Sequence, residues 1–203
     1  MPTRNRVKIY VPESYYHVYN RGVNKRSIFI DDKDYAVFLN LFKRYLTDGS
    51  LDRFKRHYIN LSSEVKLLAF CLMPNHFHLL IYQNNASGMT NLLQRVLTSY
   101  SIYFNKKYRR VGPLFQDIYK ASRISSDDYL QHISRYIHLN PKNWKNWEFS
   151  SLPFYLGTKQ AEWLNQKPIL DLFKNEEEYL EFVTDYEDYR QSLEEIESEL
   201  ADH

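Results

Sequence analysis

The chain has 203 residues, of which 43% are hydrophobic and 16% are aromatic, so it can bury a core in one domain and is not expected to be disordered. Its single cysteine, Cys71, lies in an apolar run, which excludes an internal disulfide and a zinc site built from thiolates, and favours a reducing cytoplasm. No apolar run has the length of a signal-peptide core or a membrane span, so the sequence predicts a cytoplasmic protein without a membrane partner.

The net charge of +2 conceals an uneven distribution of charge along the chain. Twelve acidic residues and one basic residue lie between positions 175 and 203, which leaves 26 Lys and Arg against 13 Asp and Glu in the remainder. A basic globular body favours a polyanionic partner, because the neutralisation of phosphates releases counterions. A solvated surface rich in lysine and arginine would carry the same charge, so charge alone leaves both interpretations open.

Hydrophobic periodicity and turn signals predict alternating strands and helices along the chain. Strands show as short aromatic, β-branched or apolar runs, and helices as apolar residues at three- and four-residue steps. Turn chemistry at Gly22 and Pro74 separates neighbouring elements, and Asp31 and the segment 125–128 are typical helix starts. The predicted elements are, in chain order, a strand at 15–23, a helix at 31–48, strands at 65–73 and 76–82, a helix at 89–110, a strand at 115–124 and a helix at 125–140.

This order of elements predicts an α+β fold of the ferredoxin-like (RRM-like) kind, built on an antiparallel sheet. Such a sheet carries helices on one face and leaves the other face free to bind a partner. The composition divides the chain into a domain at 1–157 and an acidic, helical extension at 158–203.

A pair of histidines lies on the second strand of the predicted hairpin. His76 and His78 are two residues apart, so their side chains point to the same side of the sheet. Two imidazoles on one face can bind a single divalent ion and leave coordination positions open for phosphate oxygens. Two partly buried histidines that only form hydrogen bonds would fit the pattern as well, so the pair alone does not decide between a metal site and a structural role.

The last predicted helix carries polar residues at four-residue steps, His132, Tyr136 and Asn140, which fall on one stripe of its surface. If this stripe packs over the histidine strand, the Asn140 amide oxygen is a candidate third metal ligand, and His132 is an alternate. The Tyr136 hydroxyl would then be a candidate nucleophile for phosphodiester cleavage, since a covalent aryl phosphate conserves the bond energy for a second transfer. Alternatively, Tyr136 packs in a core and Asn140 ends the helix before Pro141.

Several cations near these elements are candidate phosphate contacts. Arg21 ends the first strand and Lys120 lies on the strand before the last helix, which makes these two the stronger candidates. Each of the others could equally be a solvated charge. These other candidates are Lys25, Arg26 and Arg123.

Three segments together resemble a known family: CLMPNHFHLLI at 71–81, YHVYNRG at 16–22 and YIHLNP at 136–141. They are similar to the HUH-type transposases with a single tyrosine, and most similar to the REP-associated tyrosine transposases. The resemblance covers approximately residues 15–157. The acidic extension has no counterpart in it.

Individual residues match the motifs of that family. The His-Phe-His sequence that begins at His76 matches the family's pattern of histidine, hydrophobic residue and histidine. Tyr136 and Asn140 match the spacing of its tyrosine and polar ligand. His138 stands at a variable position inside the tyrosine motif, where it is a second alternate ligand.

The resemblance implies a transposase or endonuclease that cleaves and rejoins single-stranded or hairpin DNA, with the tyrosine helix over the metal site. It implies that Tyr136 attacks the scissile phosphate to give a 5′-phosphotyrosine and a 3′-hydroxyl. Magnesium or manganese would be the cofactor, and a monomer is favoured over a homodimer. Two other functions stay open, a non-enzymatic nucleic-acid-binding domain of the same fold and a metal-dependent hydrolytic nuclease.

Overall fold

The computed structural model describes residues 10–185 except residues 50, 52, 53 and 56. Strands and longer helices follow one another in the predicted order, and three short helices come after them within the described residues. The elements are β1 (Ser14–Arg21), α1 (Asp32–Leu46), β2 (Val65–Met73), β3 (His76–Gln83), α2 (Gly88–Lys107), β4 (Lys120–Ile124), α3 (Asp127–Leu139), α4 (Leu152–Tyr155), α5 (Lys167–Leu170) and α6 (Glu176–Thr184). Two 3-10 turns, Val23–Lys25 and Trp144–Asn146, lie between them.

The four strands form one antiparallel sheet in the order β2-β3-β1-β4. β1 therefore lies between β3 and β4. In this register Tyr19 lies opposite His78 on one side and opposite Lys120 on the other side. The strand order and the helices between the strands are those of the ferredoxin-like α+β fold, so the predicted fold class is confirmed.

One face of the sheet packs against α1 and α2 through an apolar core. Alternate strand residues point to this face, and Val18, Phe77 and Leu79 are fully buried there. The two helices contribute aromatic residues such as Phe38 and Tyr100, whose ring centroids are 4.9 Å apart. Each large apolar side chain contributes about 1.5–3 kcal/mol when it is buried, which holds the two helices on the sheet.

The opposite face of the sheet is covered in part by α3 and by the helices after it. The resemblance implies that the tyrosine helix lies over the histidines on this face, and α3 does so, whereas the cover by the helices after α3 is not predicted from the sequence. Cys71, Leu80 and the apolar side of α3, which includes Ile133 and Ile137, form a second buried cluster there. Cys71 and Leu80 point to the same face as the histidines, so they need an apolar cover, and α3 provides it.

Two predicted elements end at different residues in the structure. β4 begins only at Lys120, because the segment before it forms a loop in which the Gln116 N–H donates to the Arg21 carbonyl at 2.9 Å. α2 already ends at Lys107, because Arg109 has a left-handed φ of 50°, which a continuing helix does not allow.

The predicted acidic extension at 158–203 is helical in part within the described residues. α5 and α6 belong to it, and Ile169, Tyr179 and Val183 are buried in the second cluster. Residues 186–203 lie outside the described residues, and the predicted domain boundary at 157 stays a prediction. None of the helices in the described part of the chain is long and apolar enough to cross a lipid bilayer.

Candidate active site

Three histidines project from the sheet face that α3 covers. His76 and His78 lie two residues apart on β3, and their ring centroids are 5.1 Å apart with an interplanar angle of 89°. His17 comes from β1, and its ring centroid lies 5.2 Å from that of His78. Because Tyr19 is the residue directly opposite His78, His17 is its diagonal neighbour. The predicted pair of histidines therefore shares one face, with a third imidazole beside it.

The helix α3 carries Tyr136 and Asn140 over these histidines. It begins after Ser126, whose hydroxyl accepts a hydrogen bond from a backbone N–H of the first turn, and its apolar side packs on the sheet. Tyr136 is 8% exposed, and its ring centroid lies 5.2 Å from that of His78. Asn140 caps the C-terminal end of the helix, with its Oδ1 3.2 Å from His76 Nε2. The structure thus brings together the predicted nucleophile and the three predicted metal ligands.

Both ring nitrogens of His76 face amide oxygens, those of Asn75 and Asn140. Asn75 Nδ2 donates to the Lys25 carbonyl at 3.3 Å, so its Oδ1 faces His76 Nδ1 at 2.7 Å. His76 Nε2 faces a second amide oxygen, and the shorter of the two contacts favours Nδ1 as the donor of the neutral ring, which leaves a lone pair on Nε2. Burial lowers the pKa of His76 despite the contact with Asn140, and the Arg21 charge lowers it further, which favours the neutral ring. With the proton on Nδ1, lone pairs of His76 Nε2 and Asn140 Oδ1 face each other across 3.2 Å.

A divalent cation fits this set of donor atoms. Two facing lone pairs repel each other, and a cation between them removes the repulsion. His78 adds a second imidazole from the same strand. Among the residues that the structure describes, no group of three or more His, Cys, Asp or Glu side chains is arranged to hold a metal, so the candidate set needs the amide oxygen of Asn140. These three ligands are neutral, which leaves the full charge of an ion available to a phosphate.

His17 belongs to the same cluster, although it is not among the site residues predicted from the sequence. It is 2% exposed, and its Nε2 lies 2.9 Å from His78 Nδ1. Burial lowers the pKa of His17 to about 4, and burial followed by the charges of His17 and His76 lowers the pKa of His78 well below its usual range. His17, Tyr19 and Arg21 are two residues apart in turn, so the sequence predicts that they share one face of β1. This spacing points to the site only when it is known that β1 pairs with β3.

The two alternate ligands form other contacts. His138 is fully buried, and its Nδ1 and Nε2 lie 2.7 Å from the Tyr179 hydroxyl and 2.6 Å from the Ser151 hydroxyl. His132 Nδ1 accepts a hydrogen bond from Arg135 at 2.8 Å, and its ring packs against α6. The structure therefore brings Asn140, and not these histidines, to the histidine pair.

A groove of about 600 Å³ opens beside the histidine pair, where β1 ends and β3 begins. Arg21, Lys25 and Lys120, three of the candidate phosphate contacts, line it together with His76. Lys120 Nζ lies 5.9 Å from the centroid of the Tyr19 ring, which also lines the groove. The groove therefore combines positive charge, an aromatic ring and a candidate metal ligand.

The remaining cations, Arg26 and Arg123, lie elsewhere. Arg26 is exposed and does not line the groove. The turn before it is tight, because a Cβ at Gly22 would collide with the Arg26 carbonyl oxygen. Arg123 lies opposite Tyr16, which belongs to the core under α1 and α2, so Arg123 points to the other face of the sheet from Lys120.

Known proteins resemble this chain in sequence and in fold. The family described as "Transposase IS200 like" matches residues 10–140, more than half of the chain. The solved structure of a REP-associated tyrosine transposase bound to a REP hairpin has 13% sequence identity, covers 80% of this chain and 92% of that chain, and gives a TM-score of 0.57, which shows a shared fold. A crystal structure of a candidate transposase from Deinococcus radiodurans R1 has 14% identity, covers 63% of this chain and 91% of that chain, and gives a TM-score of 0.40. No curated protein matches the chain.

The family match extends from the residues before β1 to Asn140 and so includes each element that carries the histidine cluster and Tyr136. It confirms the resemblance to single-tyrosine transposases that the three sequence segments indicate. Transposases of this family process DNA and are generally metal-dependent. The chain belongs to the IS200-like family of transposases.

Proposed function

We propose that this transposase cleaves and rejoins single-stranded DNA, with Tyr136 as the nucleophile and His76, His78 and Asn140 as the ligands of a divalent metal. The observation that supports this most is the gathering of one phenol, two imidazoles and one amide at one place on the sheet. His76 Nε2 and Asn140 Oδ1 are 3.2 Å apart, and the Tyr136 ring centroid is 5.2 Å from that of His78. A domain that only binds nucleic acid would need none of these groups.

In the proposed reaction, the Tyr136 oxygen forms a bond to the phosphorus of the scissile phosphate, and the bond from phosphorus to the 3′ oxygen breaks. The phenol loses its proton and the 3′ oxygen gains one, so a 5′-phosphotyrosine and a free 3′-hydroxyl result. Another 3′-hydroxyl can then attack the phosphotyrosine and rejoin the strand, because the covalent link conserves the energy of the phosphodiester bond. Rejoining therefore needs no nucleoside triphosphate.

The protein holds the groups of this site in place by its own contacts. His76 is oriented by Asn75, Asn140 by the end of α3, and Tyr136 by the packing of α3 on the sheet. A bound magnesium or manganese ion would neutralise the charge that develops on the phosphate oxygens. Since the side chains are positioned before DNA arrives, little rearrangement is needed when the phosphate binds.

The groove beside the histidines is the proposed binding site for the DNA strand next to the scissile phosphate. Arg21, Lys25 and Lys120 would contact phosphates, and the Tyr19 ring would stack on an unpaired base. Arg26 and Arg123 lie outside the groove, and their proposed role is limited to phosphates further along the strand or to long-range attraction. The structure of the REP-associated transposase was solved with a REP hairpin, so a single strand beside a hairpin is the first substrate to test.

Covalent capture of DNA tests the proposed reaction. We expect the protein, incubated with single-stranded oligonucleotides and magnesium or manganese, to form an adduct that survives denaturation in detergent. Tyr136→Phe should abolish this adduct, because it removes the attacking oxygen and leaves the packing of the ring unchanged. Tyr129→Phe, in the first turn of the same helix, is the matched control and should retain it.

The outcomes of this experiment separate the three candidate functions. An adduct that persists in Tyr136→Phe would contradict the assignment of the nucleophile. Cleavage without an adduct in the wild-type protein would favour a hydrolytic nuclease, and binding without cleavage would favour a non-enzymatic nucleic-acid-binding domain. Removal of metal by a chelator should abolish the adduct, and added manganese should restore it.

A further inference from the structure

The buried contact between His17 and His78 leaves His78 a single ring nitrogen for a ligand. His17 Nε2 lies 2.9 Å from His78 Nδ1. Both residues are buried, His17 with 2% and His78 with 4% of its surface exposed. Their planes are 17° apart, so the rings lie almost parallel. Because Nδ1 of His78 is engaged by His17, only Nε2 of His78 is available to a metal.

The proton between the two rings has two possible positions with opposite consequences. Two rings that share one hydrogen bond of 2.9 Å have one proton between Nε2 of His17 and Nδ1 of His78, and each neutral imidazole has one N–H and one lone pair. If the proton lies on His78 Nδ1, then His78 Nε2 retains its lone pair. If it lies on His17 Nε2, His78 must carry its own proton on Nε2, and a protonated nitrogen cannot bind a metal.

We propose that His17 is a positioning residue that accepts the Nδ1 proton of His78 and so holds His78 in the tautomer and orientation that present Nε2 to the metal. This rests on the proposed function, because it takes His78 to be a ligand. Histidines that bind metals generally donate their other ring N–H to a fixed acceptor, which orients the ring. An imidazole from the neighbouring strand takes that role here.

The arrangement of the neighbouring ligand agrees with this assignment. His76 Nδ1 lies 2.7 Å from Asn75 Oδ1, and a proton on this nitrogen leaves a lone pair on Nε2. His17 gives His78 the same arrangement, so both imidazoles offer Nε2. A histidine pair that only packs in a core would satisfy its burial with the proton on either ring, so the position of the proton distinguishes the two roles.

The position of the proton can be measured without a metal. In protein labelled with ¹⁵N-histidine, long-range NMR correlations within each ring distinguish its two tautomers. We expect wild-type His78 to carry its proton on Nδ1, and we expect His17→Leu to lower the population of that tautomer. A proton on Nε2 of His78 in the metal-free wild-type protein would overturn the proposal.

Manganese affinity, measured by electron paramagnetic resonance of the free ion, tests the consequence for the ligand. His17→Leu removes the acceptor and should weaken binding about 10- to 100-fold. His17→Gln keeps an oxygen acceptor near the position of Nε2 and should recover most of the affinity. In a His78→Ala background, His17→Leu should cause no further loss, because His17 acts through His78. Ser122→Ala, opposite His17 on β4, should bind manganese as the wild type does.

These measurements separate a failure of the inference from a failure of the proposed function. Unchanged affinity in His17→Leu, or an equal further loss in the His78→Ala background, would overturn the role of His17. If the wild type binds no manganese, or if His78→Ala binds it equally well, the proposed function fails, and the NMR measurement still decides the tautomer. The thermal unfolding of each variant is measured as well, to establish that the variant folds. If His17→Leu does not fold, His17→Phe replaces it, because it keeps a ring and lacks the acceptor.

Discussion

Asn140 connects the end of α3 to the histidine strand. Its backbone caps the helix, and its amide oxygen lies 3.2 Å from His76 Nε2. Because the residue has a short side chain on a helix that is packed against the sheet, few torsions separate the oxygen from a rigid support. Binding of a metal would therefore fix few side-chain torsions that are still free.

The contribution of this amide can be tested by two substitutions. Asn140→Ala removes one ligand and should weaken manganese binding at least about tenfold, which corresponds to about 1.4 kcal/mol. Asn140→Asp keeps an oxygen at the same place and adds a negative charge, so it should bind manganese at least as tightly as the wild type. Isothermal titration calorimetry measures both. Equal affinity in Asn140→Ala and the wild type would exclude Asn140 as a ligand.

At the scale of elements, a buried carboxylate ties the beginning of α1 to the end of α2. Asp34 is fully buried and accepts hydrogen bonds from Lys107 Nζ at 2.7 Å, the Tyr108 hydroxyl at 2.7 Å and the Tyr103 hydroxyl at 3.0 Å. It also forms a capping box with Asp31. These contacts fix the place where the chain leaves α2 for the loop that lines the groove beside the histidines.

Asp34 should make the free energy of unfolding depend on pH in the acidic range. Burial acts to raise the pKa of Asp34, but hydrogen bonds from Lys107 and the Ile30 N–H outweigh it and hold the pKa below its usual value. A lowered pKa in the folded state stabilises the protein above the unfolded value of about 3.9, and this contribution is lost as the pH falls through the folded value. Asp34→Asn should lower the free energy of unfolding at pH 7 by about 1–3 kcal/mol and should flatten the decline in acid.

Chemical denaturation between pH 2 and pH 7 measures this effect. The control is Asp171→Asn, which breaks an exposed pair of Lys167 and Asp171 and should leave the stability nearly unchanged. An acid decline of the same steepness in Asp34→Asn and in the wild type would show that Asp34 is not its source.

At the scale of the whole molecule, the sheet separates two apolar cores, and a chain of buried polar groups joins α3 to the C-terminal helices. The Tyr179 hydroxyl lies 2.7 Å from His138 Nδ1 and donates to Ser134 Oγ at 3.1 Å. His138 Nε2 lies 2.6 Å from Ser151 Oγ, beside β2. Burial lowers the pKa of His138 to about 3, so its ring is a neutral hydrogen-bonding partner. This network holds α3, and with it Tyr136, on the sheet.

Removal of one hydroxyl tests how much this network stabilises the fold. Tyr179→Phe leaves the buried His138 Nδ1 without its hydrogen-bond partner and removes the hydroxyl that donates to Ser134, so it should lower the free energy of unfolding by about 1–3 kcal/mol. Tyr82→Phe is the control, since the Tyr82 hydroxyl has no hydrogen bond to the described residues and its ring packs on Tyr15. The denaturant midpoint measures both changes. Equal midpoints for Tyr179→Phe and Tyr82→Phe would show that the network contributes no stability.

Much of the candidate site could be predicted from the sequence, because residue spacing is a local property. Alternate residues of a strand share a face, which predicts that His76 and His78 project together. Residues four apart on a helix are neighbours, which predicts the same for Tyr136 and Asn140. His132 fits that rule too, but its ring faces α6. Each step of four residues advances about 40° around the helix, so His132 and Asn140, which are two steps apart, point about 80° away from each other.

The sequence by itself determined the α+β class, the order of the elements and the chemical groups of the candidate site, since hydrophobic period, helix caps and turns act between residues that are close in the chain. Only the tertiary structure decided that β1 lies between β3 and β4, that His17 meets His78 and that the helices after α3 complete the cover of the histidine face. His17 and His78 are 61 positions apart. Contacts over such separations depend on which apolar faces are buried against each other after long loops close, and no local pattern of residues contains that information.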